Sequence, residues 1–302
     1  MRLALAGALV AAVALAAAPA GAFCRTTTVS PPAGYIPTGA TCWDQGDPLY
    51  WKDSCIAFGV EASGSKRVSY DVVAQLAAQA FQTWTSVACG AGAPSIAVSQ
   101  GAAVPVSCST VDYVKGSKNN VNVILFHDDA WPYNDAANTL ALTTLTYNTE
   151  TAQILDADME INTASNDITT TTPVPQNGYD LLSILTHEGG HFLGLAHSGH
   201  SDATMYAVYK PQSITMRALA ADDVSAACTV YPPGGGRPTA KGTIASDACG
   251  AVPRGALQGG CPAVAGGCCS VATGAPADGA PAAIATGLLA LAFVARRARR
   301  RA

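Results

Sequence analysis

Residues 187–197 read HEGGHFLGLAH, in which three histidines and one glutamate have spacings that suit a single metal ion. Residues four apart lie on one face of a helix, so His187 and His191 can bind the same ion. Gly194 allows the chain to turn after the helix, and the turn brings His197 round as a third ligand. Glu188 lies beside the ion, within reach of a water molecule at the open fourth position. An open position of this kind is typical of a catalytic zinc site.

Three of the five histidines in the chain belong to this motif. An ordinary core helix that happens to carry histidines is the alternative, but it does not explain the neighbouring glycines. Gly189 and Gly190 fall in mid-helix, where each costs about 1 kcal/mol relative to alanine. Helix stability alone would not select them, and we therefore interpret the motif as a metal site.

The N-terminus has the features of a secretory signal peptide. A basic residue precedes an apolar run at 3–18, and Ala20 and Ala22 form an A-x-A-like cleavage site before Phe23. An uncleaved membrane anchor is the alternative. Lipidation at Cys24 is disfavoured because the bulky Phe23 precedes it. We therefore expect an exported protein.

The C-terminus carries a second processing segment. Cys268 and Cys269 precede a spacer rich in small residues, an apolar run at 282–295 and five arginines at 296–301. The apolar run is shorter than the roughly 20 residues that span a bilayer, and the arginines would hold this end in the cytoplasm. These features resemble the C-terminal sorting tag of myxobacterial surface proteins. The resemblance implies cleavage and lipidation at one of the two cysteines; a plain membrane anchor is the alternative.

The charge of the chain argues against a nucleic-acid partner. The formal net charge is −4, but Arg2 and the five arginines at 296–301 supply six of the 17 basic residues. The remaining 11 face 21 acidic residues, which gives the part between the two ends a charge of about −10. An acidic domain of this kind does not attract phosphates.

Cysteine usage predicts disulfide bonds, as expected for an exported chain. Proximity in sequence suggests the pairs Cys89–Cys108 and Cys249–Cys261, while other connectivities stay open. Zinc binding by cysteine is disfavoured because no C-x-x-C occurs. Six cysteines, enough for three bonds, lie in or beside the region of the histidine motif: Cys24, Cys42, Cys55, Cys89, Cys108 and Cys228.

The pattern of apolar residues predicts an α+β fold. Strands are predicted at 51–60, 95–98, 121–126, 140–147 and 154–161, and helices at 70–84, from 179 into the histidine motif, and at 220–230. The metal-binding helix would then lie beneath a twisted mixed sheet. We divide the chain into a signal peptide (1–22), an N-terminal extension (23–48), a zinc domain (49–232), a Gly/Pro/Ala-rich flexible linker (233–267) and the C-terminal tag (268–302).

The motif and the residues after it resemble the metzincin zinc metalloproteases, and among them the matrixins, the matrix-metalloprotease type. Ser198 follows the third histidine directly. The run MYAVY at 205–209 resembles the Met-turn and the segment lining the specificity pocket, and LAADDV at 219–224 resembles the start of the last helix. The resemblance covers about residues 49–231. It implies a metzincin-like catalytic domain with a long N-terminal helix, an active-site helix, a Met-turn and a C-terminal helix.

The resemblance also implies roles for residues after the motif. Met205 would turn beneath the zinc and pack against the histidines without binding the metal. Tyr206 and Tyr209 would border the specificity pocket. We expect no tyrosine ligand, because the position two residues after the methionine, where some metzincins place one, is Ala207.

Two features of many matrixins are missing from the sequence. A P-R-C-G-x-P-D run, whose cysteine caps the zinc, does not occur, so we expect no latency of that kind. A second, structural zinc site would need two further histidines, and Asp158 stands where one of them is expected. We therefore expect one zinc ion. Asp156, Asp158 and Glu160 are candidate calcium ligands, with a solvated acidic strand end as the alternative.

The sequence therefore predicts a secreted or surface-anchored zinc endopeptidase. Zinc held by neutral imidazoles would activate a water molecule, with Glu188 as the general base. We expect protein or peptide substrates, a monomeric state, and membrane contact through the C-terminal tag alone. Two alternatives stay open: an inactive zinc-binding surface protein that serves in adhesion or recognition, and a zinc hydrolase that acts on a non-protein amide of the cell envelope.

Overall fold

The computed structural model describes residues 23–32, 34–39 and 41–259, and the backbone of one further strand at 286–295. The predicted signal peptide, Cys261, Cys268, Cys269 and the arginine cluster lie outside the described residues. Within the described part, no helix is both long and apolar enough to cross a membrane.

The helices and the longer strands follow the apolar pattern of the sequence. The helices are α1 (Tyr70–Thr85), α2 (Leu181–Phe192) and α3 (Ala221–Val230). The first five strands are β1 (Cys55–Val60), β2 (Ala97–Gln100), β3 (Val123–Phe126), β4 (Thr139–Asn148) and β5 (Ile154–Ile161). The remaining strands are β6 (Ile168–Thr169), β7 (Tyr179–Asp180), β8 (Val208–Tyr209), β9 (Gly236–Thr239), β10 (Gly242–Ala245) and β11 (Thr286–Ala295).

The main sheet is mixed, with the order β2-β1-β3-β5-β4-β11-β8. Strands β2, β1, β3 and β5 are parallel, and β4 is antiparallel to β5. Strand β11 is antiparallel to β4 and parallel to β8. Short pairs form between β6 and β7 and between β9 and β10. The predicted α+β class is confirmed.

The core lies between one face of the sheet and the helices. Helix α1 packs on α2 through aromatic side chains, and the ring centroids of Phe81 and Phe192 are 4.8 Å apart. The indole of Trp84 is fully buried and donates to the carbonyl of Thr186 at 2.7 Å. Each such aromatic residue stabilises the fold by about 1.5–3 kcal/mol through burial. This packing fixes the position of α2, which carries the first two histidines of the motif.

The disulfide bonds differ from the predicted pairs. Cys24 bonds Cys42, Cys55 bonds Cys249, and Cys89 bonds Cys228. The predictions Cys89–Cys108 and Cys249–Cys261 are therefore wrong, although Cys108 is also disulfide-bonded. Two of the observed bonds join positions 139 and 194 residues apart, because the fold brings together chain segments that are distant in sequence.

The segment predicted to be a flexible linker is folded against the domain as far as residue 259. Strands β9 and β10 form a hairpin, and the chain then runs beside β1, where Ala57 N donates to the carbonyl of Arg254 at 2.7 Å. The Cys55–Cys249 bond fixes the same segment. Some of its glycines and prolines lie in the paired strands β9 and β10, so their abundance was a poor guide to flexibility.

Arg237 anchors this hairpin in the core. Its guanidinium is fully buried, donates to the carbonyls of Trp51 and Ser95 at 2.8 and 2.9 Å, and lies 5.0 Å from the ring centre of Tyr231. Burial lowers the pKa of Arg237. A planar donor fork satisfies several carbonyls at once, which a lysine ammonium does not do with the same geometry.

We predict that Arg237→Lys and Arg237→Ala both lower the free energy of unfolding, the alanine variant by about 2–4 kcal/mol, because buried carbonyls lose their donors. Urea unfolding followed by circular dichroism measures the loss. The control is Lys241→Ala in the exposed turn of the same hairpin, expected to stay within about 0.5 kcal/mol of the parent. Equal stability of all three variants would contradict the anchoring role.

Candidate metal centre

The start of helix α2 is fixed by hydrogen bonds to the side chain of Asp180. The carboxylate of Asp180 accepts a hydrogen bond from Ser183 N at 2.8 Å, which caps the helix. The same carboxylate receives two hydrogen bonds from the guanidinium of Arg217, at 2.6 and 2.8 Å. Every residue of the helix is buried. The side chains that α2 directs toward the metal centre therefore have little freedom to move.

The three histidines of the motif converge on one point. The Nε2 atom of His191 lies 3.2 Å from the Nε2 atoms of both His187 and His197. His187 and His191 are fully buried, and His197 is half-buried. Among the residues that the structure describes, these three form the group of His, Cys, Asp or Glu side chains able to hold a metal ion.

Hydrogen bonds at the opposite ring nitrogens set the tautomers. His187 Nδ1 lies 2.6 Å from the carbonyl of Thr204, and His191 Nδ1 lies 2.8 Å from the carbonyl of Leu195. A carbonyl oxygen only accepts, so both Nδ1 atoms carry the proton and both Nε2 atoms present a lone pair. Burial lowers the pKa of all three histidines, that of His191 to about 4. The imidazoles are therefore neutral, as metal binding requires.

The N-terminal extension supports the turn at the end of α2. Gly194 has φ +85°, and a Cβ there would lie 3.1 Å from the carbonyl oxygen of Leu49. Thr26 donates through its backbone N to Gly194 O and through its Oγ1 to Leu195 O, both at 2.9 Å. Leu195 O is also the acceptor for His191. The Cys24–Cys42 bond closes this extension, so a segment outside the motif helps to orient one ligand.

The turn that contains Met205 packs against α2 at Gly190, between His187 and His191 in the sequence. Met205 is buried, and a Cβ on Gly190 would lie 2.2 Å from its Sδ. This close approach explains the glycine in mid-helix. The carboxylate of Asp223 accepts hydrogen bonds from Thr204 N and Met205 N at 2.7 and 3.1 Å, and from Ala220 N at 2.9 Å. It thereby fixes the carbonyl of Thr204 that orients His187.

Ser198 connects the end of the histidine motif, directly after His197, to the last helix. Its hydroxyl donates to the carboxylate of Asp222 at 2.6 Å, and its backbone N donates to Met205 O at 2.7 Å. In the sequence, Ser198 and the Asp222-Asp223 pair contributed only to the resemblance to matrixins. The geometry gives them a physical role, which is to tie the end of the motif to the Met-turn and α3.

Glu188 lies on α2 next to the first ligand and is fully buried. Its Oε2 accepts a hydrogen bond from the hydroxyl of Thr143 on β4, a contact that sequence reasoning missed. Its Oε1 has no hydrogen-bond partner among the described residues. Burial raises the pKa of Glu188 to about 8, and the bond from Thr143 opposes that effect. A cation held by the histidines would lower this pKa again.

The donor set fits zinc. Imidazole nitrogens bind zinc at about 2.0–2.1 Å in a tetrahedral arrangement, which places them about 3.3 Å from one another. The observed separation of 3.2 Å agrees with this value. Three neutral nitrogens and no thiolate also favour zinc over the harder ions magnesium and calcium. The three histidines would therefore hold one zinc ion.

The acidic residues of β5 lie on the sheet face away from the helices. All three carboxyl groups are buried. Asp156 and Asp158 hydrogen-bond each other, whereas Glu160 contacts the ring of His127 at 2.6 Å and the hydroxyl of Tyr133 at 2.7 Å. The solvated strand end is therefore not what the structure shows. Calcium binding at these residues stays a prediction.

The two tyrosines after the Met-turn differ in environment. Tyr206 is half-buried and packs against the core. Tyr209 is buried in β8, its hydroxyl donates to Ser213 O, and its ring centre lies 5.9 Å from that of Tyr179. Their part in a specificity pocket stays a prediction.

We predict that Asp223→Asn weakens zinc binding by about 10–100-fold, because an amide supplies only one acceptor oxygen for three backbone donors and frees the Thr204 carbonyl. Competition with a chromophoric chelator under native conditions measures the change. Asp202→Asn, exposed on the same loop, is the matched control. Unchanged zinc affinity in the Asp223 variant would show that the carboxylate does not position His187.

We predict that Asp156→Asn makes stability less dependent on pH. Burial raises the pKa of Asp156 to about 6, and burial with repulsion from Asp156 raises that of Asp158 well above its ordinary value. The folded state therefore keeps protons that the unfolded chain releases above about pH 4. The stability from these protons is present below about pH 4 and is lost as the pH rises through about 6.

Urea unfolding at pH 4 and pH 7 tests this, with exposed Asp44→Asn as the control. The advantage of the Asp156 variant over the parent should grow toward pH 7 by on the order of 1–3 kcal/mol. An advantage independent of pH would contradict the assignment. Calcium at pH 7 should stabilise the parent and not the Asp156 variant if the predicted calcium site exists.

Comparison with known proteins places this geometry in a family. The family model "Matrixin" matches residues 50–232. Matrix metalloproteinase-C of Caenorhabditis elegans is 26% identical over 196 residues, which cover 62% of this chain and 29% of that protein. Human matrix metalloproteinase-20 is 26% identical over 193 residues, or 62% of this chain and 33% of that protein. Human matrix metalloproteinase-26 is 31% identical over 98 residues, or 32% of this chain and 34% of that protein.

The chain spans about a third of the length of these relatives. The match to the family model, by contrast, covers more than half of the chain and runs from the end of the N-terminal extension to the end of α3. It includes every residue of the metal centre described above except Leu49 and those of the N-terminal extension. The chain belongs to the matrixin family.

Proposed function

We propose that this chain is a zinc-dependent endopeptidase that works outside the cytoplasm. The observation that carries the proposal is the convergence of three neutral Nε2 atoms beside a buried glutamate whose Oε1 has no partner among the described residues. Membership of the matrixin family supports the same reaction class. Proteins or peptides are the substrates that the family indicates.

Each group of the site has a separate role in the proposed hydrolysis. When bound, zinc supplies Lewis acidity that polarises a peptide carbonyl and lowers the pKa of water. Glu188 accepts the proton of the attacking water at Oε1 and passes it to the nitrogen of the departing amine. Thr143 holds Oε2 and so fixes the orientation of the carboxylate. The peptide C–N bond breaks, and water supplies the hydroxyl and the proton of the two products.

Disulfide bonds support an extracytoplasmic site of action. Three bonds among the described residues would be reduced in most cytosols. The signal-peptide pattern at 1–22 and the tag pattern around Cys268 and Cys269 support export and retention at the cell surface. We propose a monomer that contacts the membrane through the tag alone and does not bind nucleic acid. Tyr206 and Tyr209 are proposed to shape the specificity pocket.

We predict that Glu188→Gln lowers kcat for peptide hydrolysis by at least about 10²-fold and leaves one zinc ion bound per chain. Glutamine keeps the shape and the acceptor for Thr143 but cannot take a proton. Fluorogenic peptide libraries measure hydrolysis, and metal analysis measures zinc. Glu150→Gln in the exposed turn before β5 is the control.

A Glu188→Gln protein that cleaves peptides at the parental rate would refute the assigned base. A second assay measures hydrolysis after a chelator is added and after zinc is restored. Activity that is lost with the chelator and recovered with zinc indicates an enzyme, and no activity in either state indicates an inactive zinc-binding surface protein. Mass spectrometry of a proteome-derived peptide library addresses the other alternative. If no peptide is cut while an envelope amide is hydrolysed, the substrate class is not protein.

A further inference from the structure

The C-terminal strand β11 lies in the sheet beside the metal centre. Its backbone is antiparallel to β4 over most of its length, from Thr286 opposite Asn148 to Val294 opposite Thr139. Its last two residues pair in parallel with β8. The sequence analysis considered this apolar segment only as part of a tag or an anchor. The structure gives it a second environment, between β4 and β8.

The edge that β11 covers is the one next to the catalytic glutamate. Thr143 of β4 hydrogen-bonds Glu188 and lies opposite Leu291 of β11. Strand β8 begins three residues after Met205, which packs against the helix that carries the first two ligands. An extended chain that pairs with β4 and then with β8 therefore passes across the metal centre.

A sheet edge offers unpaired N–H and C=O groups, and extended peptides bind such edges by adding a strand. If the chain is an endopeptidase, as proposed above, a peptide must lie extended close to Glu188. The β4–β8 edge provides backbone partners at that place, and β11 occupies it. Glu188, His187 and His191 have no exposed surface in the structure that includes β11.

We propose that β11 is an autoinhibitory strand, which occupies the peptide-binding edge of the metal centre until it is displaced or cut from the domain. This inference rests on the proposed peptidase function. Attachment through the chain keeps the strand at an effective concentration in the millimolar range. Hydrolysis of a peptide bond after the last cysteine, between Cys269 and Thr286, ends that attachment, because Cys108 is disulfide-bonded and a cut before its partner would leave the tail linked. A cut beside Cys268 or Cys269, as the tag resemblance implies, would couple processing to activation.

The test uses the zinc-loaded chain from Phe23 to Ala302 and a double variant, Leu289→Pro with Ala290→Pro. Proline lacks the N–H, and of two adjacent residues in a strand one directs its N–H toward β4. The matched control places the same two prolines outside the strand, as Ala272→Pro with Thr273→Pro. We expect kcat/KM for a fluorogenic peptide to rise at least about tenfold in the β11 variant and to stay unchanged in the control.

A second readout does not depend on activity. In Glu188→Gln proteins, which keep their tails intact, hydrogen exchange of the alternate β4 amides that face β11 should be faster with the β11 prolines than with the control prolines. A synthetic peptide of residues 286–295 with added terminal lysines should inhibit the β11 variant by raising KM, whereas the same peptide with two prolines should not.

The outcomes separate the inference from the proposed function. Equal β4 exchange in both proline proteins overturns the inference whatever the activity, and means that the apolar segment resides elsewhere, such as in a bilayer. Faster exchange with unchanged kcat/KM also overturns it, because the strand then does not block substrate. If no protein, including the β11 proline variant, cleaves any peptide, the proposed function fails, and the regulatory role fails with it.

Discussion

The metal centre depends on the desolvation of three imidazoles within one small volume. At 3.2 Å the Nε2 atoms are too close for more than one of them to carry a charge. Burial keeps the rings neutral, and the Nδ1 protons go to the carbonyls of Thr204 and Leu195. Lone pairs that face one another repel. A cation bound between them attracts each lone pair and so offsets the repulsion. The scaffold must therefore hold the ligands against their own repulsion.

The scaffold meets this requirement with contacts that lie far apart in sequence. Asp223 of α3 fixes the carbonyl that orients His187, and Thr26 of the N-terminal extension binds the carbonyl that orients His191. Gly190 allows Met205 to approach the helix from below. Each ligand is thus positioned by a different part of the chain. The geometry of the centre therefore depends on contacts of α2 and its following turn with the N-terminal extension, the Met-turn and α3.

Local patterns in the sequence were sufficient to predict the three helices and the longer strands, and the three histidines that the fold brings together. Helix α1 follows apolar residues at helical spacing, β5 begins and ends where the pattern placed it, and the histidine spacing is itself local. Contacts set by the tertiary fold could not be found in this way. Cys89 bonds Cys228 because α1 and α3 are neighbours, and Thr143 reaches Glu188 across the sheet. The Gly/Pro-rich segment after α3 resembles a linker in composition, yet Arg237 and Cys249 hold it in the fold.

The segment TGLLALAFVA at 286–295 pairs as a strand with β4, whereas the sequence predicted it to be part of a sorting tag or membrane anchor. Apolar sequences occur both in bilayers and in buried strands, so hydrophobicity alone does not choose between the two. Length argues for the sheet, because a helix of the whole run at 282–295 would be about 21 Å long and would not cover a hydrocarbon core of about 30 Å. Strands β4 and β8 offer partners for the backbone groups of the segment. A segment in a membrane would leave the edge beside Glu188 open, so the proposed inhibition and the alternative of a plain membrane anchor make opposite predictions for the same residues.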